Sequence, residues 1–133
     1  MSDSPAETIN GAYGAFGRGD IPALLAMLDE DVDWRVPENV PHGGDFSGRE
    51  AVGRFFEGIG DSWEGLELHL EGLVSEGEKV LSVCHIHGRL RATGEDTGYR
   101  SVHVWTVRDG VAVGFAEYVD APLTLPAAHA VAT

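Results

Sequence analysis

The stretch "GYRSVHVWTVRDGVAVGFAEYV", residues 98–119, contains two long runs of β-forming residues on either side of a short polar segment. Val, Thr, Tyr, Trp and Phe dominate both runs, and these residue types favour strands. The polar segment, "RDG" at 108–110, suits a tight turn because Asp and Gly tolerate the backbone conformations that turns require. The stretch therefore predicts an antiparallel hairpin with strands at 98–107 and 111–119.

Two more strands are predicted upstream of this hairpin. Residues 66–74 alternate leucines with Glu67, His69 and Glu71, which is typical of a strand with one exposed face. Residues 79–90 form another long run, connected to the hairpin by "ATGEDTG" at 92–98. The three longer strands predict an antiparallel meander.

The first half of the chain predicts helices. Apolar residues at helical spacing predict a first helix over residues 6–16 and a second over 21–30, with Asp20 as its N-cap. A short strand at 32–36 and a loop rich in Pro and Gly at 37–48 follow, and "SGRE" at 47–50 predicts a capping box for a third helix. Helices followed by a meander predict an α+β domain in which the helices cover one face of a curved sheet.

Length and charge limit the function classes. A chain of 133 residues with 43% hydrophobic residues predicts a single domain, 1–133, with its core at about 6–120. The tail at 121–133 is expected to be a flap, a partner contact or disordered. Nine Lys and Arg against 22 Asp and Glu give a formal net charge of −13, which repels phosphate backbones and anionic membranes. Neither nucleic acid nor membrane is therefore an expected partner.

Cysteine content and the start of the chain predict the compartment. Cys84 is the single cysteine, which excludes an internal disulfide and a multi-cysteine zinc site and fits a reducing compartment. The first ten residues lack the basic and apolar regions of a signal peptide, and no run of about 18 apolar residues occurs. The sequence predicts a soluble, cytoplasmic protein.

Three segments carry a family resemblance: "YGAFGRGDIPALLAMLDEDVDW" at 13–34, "GREAVGRFF" at 48–56 and "HVWTVRDGVAVGFAEYVD" at 103–120. With the order of elements, they resemble the SnoaL-like branch of the NTF2-like superfamily, which includes ketosteroid isomerase, limonene epoxide hydrolase and scytalone dehydratase. The resemblance covers roughly residues 9–120. It implies a cone in which a curved, mostly antiparallel sheet wraps around N-terminal helices and encloses an apolar pocket, commonly in a homodimer, with no metal and no cofactor. The scaffold hosts isomerases, cyclases, dehydratases, epoxide hydrolases and non-catalytic binders, so the resemblance alone does not specify a reaction.

The catalytic positions of these relatives are only partly present. The resemblance places the general-base Asp of ketosteroid isomerase near Val36, so that base is missing, and a proton-donating Asp near His103. The essential Asp of the cyclases and epoxide hydrolase falls at Glu117, in "FAEY". The Arg-x-Asp pair of the epoxide hydrolase falls at His85 and His87, so hydrolysis by that mechanism is not expected.

Glu117 and His103 are the main candidates for acid–base chemistry. Glu117 lies among large apolar residues of the last strand, where burial raises the pKa of a carboxyl toward the range useful for proton transfer. The alternative is a carboxylate at a strand end that pairs with Arg100 or another basic residue. His103 shares a face with Tyr99, Ser101 and Trp105, where an imidazole can orient a carboxylate or shuttle a proton. Its alternative is a core histidine bonded to a backbone carbonyl.

His85 and His87 share one face of their strand because side chains two residues apart point the same way. We expect both to face the cup, His85 as a third catalytic group and His87 as a ligand contact, although His87 lies close to a turn and an exposed position is the alternative. A His-x-His pair can also chelate a metal, and His103 with Glu117 could complete such a site.

The walls of the cup are predicted to be aromatic. Trp34, Phe56 and Trp105 are expected to contact a flat apolar ligand, and Tyr13 to donate a hydrogen bond to a substrate oxygen. All four are equally compatible with ordinary core positions. His42, in the loop at 37–48, could rim the mouth, but a solvated loop histidine is the favoured interpretation.

The leading functional hypothesis is an enzyme that transfers a proton on a small apolar carbonyl compound, polyketide-like or terpenoid-like, without a cofactor. Glu117 moves the proton, and His103 and His85 act as hydrogen-bond donors that orient the reacting groups or stabilise an oxyanion. Cyclisation, isomerisation and dehydration all fit. A non-catalytic binding protein is the second hypothesis, and a metal-dependent enzyme that uses the His-x-His site is the third.

Overall fold

The structure is a computed structural model and describes residues 4–38 and 40–119. Three helices and six strands occur in these two ranges. In chain order they are α1 (Pro5–Gly17), α2 (Ile21–Ala26), β1 (Leu28–Val36), β2 (Gly44–Ser47), α3 (Arg49–Ser62), β3 (Trp63–Glu76), β4 (Lys79–Leu90), β5 (Asp96–Arg108) and β6 (Val111–Val119).

The strands form one curved, open sheet in the order β2-β1-β6-β5-β4-β3. Every neighbouring pair is antiparallel except β1 and β6, which run parallel. Helix α1 contacts β3 to β6, and α3 contacts β1, β2 and β3. The predicted α+β architecture is confirmed: a mostly antiparallel curved sheet wraps around the N-terminal helices.

The predicted hairpin is confirmed as β5 and β6, with Arg108 opposite Val111 across the turn. Asp109 at the turn has a φ of 53°, a left-handed conformation that Asp tolerates better than most residues. The predicted strand at 79–90 is β4 with the same bounds, and the predicted strand at 66–74 lies inside the longer β3.

The second helix is shorter than predicted. The sequence predicts a helix over 21–30, but α2 ends at Ala26 and the chain enters β1 at Leu28. The amide of Ala112 donates to the carbonyl of Met27 at 2.9 Å, which ties this segment to the sheet. Leu28 is fully buried in the strand, so burial against the sheet outweighs its place in the helical pattern.

Two features near α3 also differ from the predictions. The predicted loop at 37–48 contains β2, which is only four residues long and pairs with β1. The predicted capping box at 47–50 is wrong: α3 begins at Arg49, and Gly48 precedes it with a φ of 92° and no side-chain cap. A capping box is present instead at α1, where Ser4 and Glu7 bond reciprocally.

The hydrophobic core fills the space between the helices and the concave face of the sheet. Ile9 of α1, Leu28 and Val32 of β1, and Val52 of α3 are all fully buried there. None of the helices in the described ranges is both long and apolar enough to cross a membrane. The predictions for the tail at 121–133 fall outside the described residues.

Candidate active site

The concave face of the sheet and the three helices enclose a cavity of about 60 Å³. Its mouth shares six lining residues with a wider cleft of about 800 Å³ between α1, α3 and β3. The lining is almost entirely apolar and aromatic, with a few polar groups. It comprises Ala12, Tyr13, Phe16, Leu24, Trp34, His42, Phe55, Phe56, Ile59, Leu66, Leu68, Ile86, Tyr99, His103, Trp105, Phe115 and Glu117.

His103 and Glu117 form a buried pair in the wall of the cavity. The two residues lie directly opposite each other in the register of β5 and β6. Nε2 of His103 is 3.0 Å from Oε2 of Glu117, and their side chains are 6% and 5% exposed. Neighbouring strands therefore place an imidazole and a carboxylate in hydrogen-bond contact away from solvent.

The other imidazole nitrogen of His103 contacts helix α1. Nδ1 of His103 lies 2.6 Å from the hydroxyl of Tyr13, and the indole N–H of Trp105 donates to the same hydroxyl at 3.0 Å. The Tyr13 hydroxyl also hydrogen-bonds the hydroxyl of Ser82. A continuous hydrogen-bonded chain thus runs from Ser82 through Tyr13 and His103 to Glu117.

The pair is ionised at neutral pH. Burial favours a neutral imidazole, but contacts with the sulfur of Cys84 and with Glu117 outweigh it and raise the pKa of His103 to about 9. Burial also acts to raise the pKa of Glu117, but the hydrogen bond and charge of His103 lower it below its ordinary value. The expectation that burial raises the pKa of Glu117 is therefore wrong, because the imidazolium beside it outweighs burial.

This charge state fixes the direction of the hydrogen bonds. An imidazolium donates from both nitrogens, so His103 donates to Glu117 and to the oxygen of Tyr13. Tyr13 then donates its own proton to Ser82. Burial raises the pKa of Tyr13, so the phenol stays protonated.

Cys84 is a fully buried thiol beside His103. Its sulfur lies 3.6 Å from Nδ1 of His103 and 3.9 Å from the hydroxyl of Tyr13. Side chains alternate along β4, so Cys84 lies on the buried face of the strand, opposite to His85. The thiol helps to surround the imidazole, a contact that the sequence gives no signal for.

Two buried hydrogen-bond donors in the cavity wall are unpaired. Within residues 4–38 and 40–119, neither Nε1 of Trp34 nor the hydroxyl of Tyr99 has a hydrogen-bond partner. The two residues are 2% and 5% exposed. An unsatisfied buried polar group costs about 1–3 kcal/mol, and such a group calls for a specific explanation. A ligand oxygen in the cavity would satisfy either donor.

His42 is buried in the cavity wall, contrary to the expectation of a solvated loop residue. The indole N–H of Trp63 donates to its Nδ1 at 3.0 Å, so a neutral His42 carries its proton on Nε2. Burial lowers its pKa, and Glu117 only partly offsets this. His42 is therefore a neutral donor near the carboxylate.

The structure brings six of the predicted site residues together and excludes two. Residues that line the cavity as predicted are Tyr13, Trp34, Phe56, His103, Trp105 and Glu117. His85 and His87 lie on the opposite face of β4, where they are partly exposed, because Cys84 and Ile86 take the inward positions. The expectation that the two histidines face the cavity is wrong. The four-residue metal set built from them is wrong as well, because its members lie on both faces of the sheet.

The alternative partner proposed for Glu117 is also occupied elsewhere. Nε of Arg100 lies 3.1 Å from a carboxylate oxygen of Glu71, and both side chains are largely exposed. Glu117 therefore pairs with His103, so the alternative of an ion pair holds with a different basic partner than Arg100.

A family profile described as the SnoaL-like domain matches residues 9–115 of the chain. An NTF2-like protein from Burkholderia thailandensis is 28% identical, with 94% of this chain and 97% of that chain covered and a TM-score of 0.88. TerC, co-crystallised with polyporic acid, is 26% identical over 88% of this chain and 92% of its own, with a TM-score of 0.78. A protein from Xanthomonas campestris pv. campestris, provisionally described as a polyketide cyclase, is 26% identical over 87% of this chain and 90% of its own, with a TM-score of 0.71. No curated protein matches the chain. The matches confirm the predicted resemblance and the NTF2-like fold.

Proposed function

Because this chain belongs to the SnoaL-like domain family and carries an ionised dyad in an apolar cavity, we propose that it is an acid–base enzyme. Its substrate is a small, largely apolar organic molecule that bears a carbonyl oxygen, and it needs no cofactor. The observation that carries the proposal is the buried contact of 3.0 Å between His103 and Glu117 in the cavity wall. Strongly perturbed titratable groups in a cleft are characteristic of acid–base sites.

Glu117 is the base in this proposal. One carboxylate oxygen is held by His103, and the residue lines the cavity, so it can accept a proton from a carbon next to the substrate carbonyl. The lowered pKa keeps Glu117 ionised at neutral pH but also makes it a weak base. The substrate carbon must therefore be acidified by groups that stabilise the resulting enolate.

Trp34 and Tyr99 are suited to that second task. Both hold an unpaired donor in the cavity wall, and a carbonyl oxygen that accepts from them becomes more polarised. Burial raises the pKa of Tyr99, so its hydroxyl keeps the proton that it donates. They take the oxyanion-stabilising role that the sequence analysis gave to His103 and His85.

The fate of the enolate sets the reaction. Return of the proton to a different carbon gives isomerisation, attack on a second carbonyl gives cyclisation, and loss of a hydroxide leaving group gives dehydration. The Xanthomonas relative supports cyclisation, and the co-crystallisation of TerC with polyporic acid supports a small organic ligand. The wide cleft outside the cavity leaves room for the body of a molecule larger than its reactive end.

The test follows proton exchange and needs no knowledge of the natural substrate. A panel of cyclic and aromatic ketones is incubated with the protein in D₂O, and loss of the proton signal next to the carbonyl is followed by NMR. We expect faster exchange for at least one ketone and a loss of about 10²- to 10⁴-fold in Glu117→Gln. His85→Ala is the matched control, because His85 lies outside the cavity and should leave the rate unchanged.

The unpaired donors give a second readout. Tyr99→Phe should weaken binding of the active ketone by about 10-fold while leaving the free energy of unfolding of the ligand-free protein the same or slightly higher, since it removes an unsatisfied buried hydroxyl. Equal exchange rates in Glu117→Gln and the unmodified protein would refute the proposed base. Saturable ketone binding without exchange would refute catalysis and leave the binding-protein hypothesis, which the weak basicity of Glu117 favours.

A further inference from the structure

Outside the cavity, the convex face of the sheet carries a second group of histidines on β3 and β4. A bulge between Glu64 and Glu67, where Gly65 has a φ of 64°, sets Glu67 directly opposite His87. His69 lies two residues further along β3 and therefore on the same face as Glu67. Side chains that are directly opposite or two apart on one face are within reach of each other.

The ligand atoms of Glu67, His69 and His87 converge on one point. Nε2 of His69 lies 3.4 Å and Nε2 of His87 lies 3.3 Å from the same oxygen, Oε1 of Glu67. One ligand atom from each of the three residues falls within 4.8 Å of the other two. A zinc ion bound tetrahedrally at 2.0–2.1 Å from nitrogen or oxygen separates its ligand atoms by about 3.3–3.4 Å. The two separations from Glu67 match that geometry and exceed the usual range for an N–H···O hydrogen bond, and the ligand atoms of the two histidines lie within 4.8 Å of each other.

We propose that Glu67, His69 and His87 form a binding site for a divalent transition-metal ion, with Zn²⁺ the best fit. Two imidazole nitrogens and one carboxylate oxygen suit zinc and its neighbours, whereas Ca²⁺ and Mg²⁺ prefer oxygen ligands alone. Three protein ligands leave the fourth tetrahedral position open for water or another small ligand. The argument for this site does not depend on the proposed acid–base function, because none of its three residues lines the cavity that holds Glu117; Glu67 and His69 do line the wide cleft outside that cavity.

The surrounding charges favour a cation at this point. The arginines near the cluster are each paired with a carboxylate: Arg89 with Asp96, and Arg100 with Glu71. The formal net charge of −13 for the whole chain also attracts divalent cations. The side chain of His87 is 45% exposed and that of Glu67 is 61% exposed, so a hydrated ion can reach the site directly.

The arrangement of the rings supports a site across the strands rather than along one strand. The rings of His69 and His87 stack at 5.4 Å with an interplanar angle of 25°, which presents both Nε2 atoms to Glu67. His85 is 6.0 Å from His87 with its ring tilted by 53°, and it is not part of the converging group. The His-x-His pair in the sequence therefore contributes one ligand, and β3 supplies the other two.

The test is zinc titration of the tag-free protein after treatment with a chelator, by isothermal calorimetry and native mass spectrometry. We expect one Zn²⁺ per chain and a loss of affinity of at least about 10-fold in His69→Ala and in His87→Ala. Substitution with Co²⁺ should give the intense visible absorption of a tetrahedral site. Circular dichroism of each variant checks that the fold is retained.

Two matched controls test the choice of ligands. His85→Ala removes a neighbouring histidine, and Glu64→Gln removes an exposed glutamate of β3 that is 3.6 Å from Arg91. Both should bind Zn²⁺ within about twofold of the unmodified protein. Unchanged binding in His69→Ala and His87→Ala, a loss of binding in His85→Ala, or no zinc binding at all would overturn the proposal.

Discussion

The buried pair of His103 and Glu117 predicts a specific dependence of stability on pH. His103 has a pKa of about 9 in the folded protein against an ordinary value of 6.5. Between these two values the folded state holds a proton that the unfolded state releases, so the free energy of unfolding falls as pH rises. At 1.36 kcal/mol per pKa unit, the loss across this window is about 3 kcal/mol.

Glu117→Gln is the perturbation that removes the part of this contribution that depends on Glu117. Without the carboxylate the contact with Cys84 remains, but the hydrogen bond and charge of Glu117 no longer offset burial, so the pKa of His103 falls and part of the stability gained by protonation is lost. The variant should therefore be less stable than the unmodified protein by about 1–2 kcal/mol at pH 6, and the difference should shrink as pH rises through the folded pKa of His103 toward pH 9.5. The stability that ionised Glu117 itself contributes is present above its ordinary pKa of 4.5 and is lost as pH falls through the lowered folded value.

Urea unfolding at a series of pH values from 6 to 9.5, followed by tryptophan fluorescence, measures both proteins. Glu64→Gln, at an exposed position, is the control and should run parallel to the unmodified protein because surface ion pairs contribute little. NMR titration of the imidazole gives an independent check of the His103 pKa. A difference between the unmodified protein and Glu117→Gln that does not change with pH would refute the ionised pair.

Three further predictions concern packing and assembly. A Cβ atom at Gly43 would lie 1.9 Å from the carbonyl oxygen of Pro37, so Gly43→Ala should cost about 2 kcal/mol of stability and displace the loop that carries His42. Gly58 lies inside α3, and a Cβ atom added there would meet no heavy atom within 4 Å beyond its own helix turn and chain neighbours. Gly58→Ala should therefore raise the free energy of unfolding by about 0.5–1 kcal/mol. Urea unfolding measures the stability of both variants. We expect light scattering to show a homodimer that associates through the convex face of the sheet, where Leu81 lies. Leu81→Lys should then yield monomers. A dimer that is unchanged in this variant would exclude the convex face as the interface.

The predicted elements follow from patterns that the structure preserves. Alternation and turn residues locate β4, β5 and β6 closely, and the same alternation correctly groups Tyr99, Ser101, His103 and Trp105 on the buried face of β5. The pairing of His103 with Glu117 depends on the strand register, and the register of β5 and β6 includes an irregularity between Thr106 and Val107. A sequence indicates which strands are neighbours but does not specify such a shift in register. The sequence could therefore suggest that His103 and Glu117 lie near each other, but it could not predict that they form a hydrogen bond.

The misplacement of His85 has a different cause. Alternation fixes which residues of β4 share a face but leaves open which face is buried. The group with His85 contains Leu81 and Val83, and these two residues alone suggest the wrong face as the inner one. Over the whole strand that group also contains Lys79 and Arg89, whereas the opposite group contains Val80, Ile86 and Leu90, so the composition of the full strand favours the face that the structure buries. In the structure, Leu81 is 41% exposed and Ser82 is fully buried.

That inversion has a physical explanation in the two environments of the sheet. Ser82 can be buried because its hydroxyl hydrogen-bonds Tyr13, at the end of the series of hydrogen bonds that leads through His103 to Glu117. The site therefore requires a polar residue at this position of the inner face. The exposure of Leu81 and Val83 calls for a separate explanation. Large apolar side chains grouped on one face of a sheet favour contact with another protein surface. A homodimer formed through this face would supply that explanation. β4 would then contribute one face to the proposed active site and the other to subunit association.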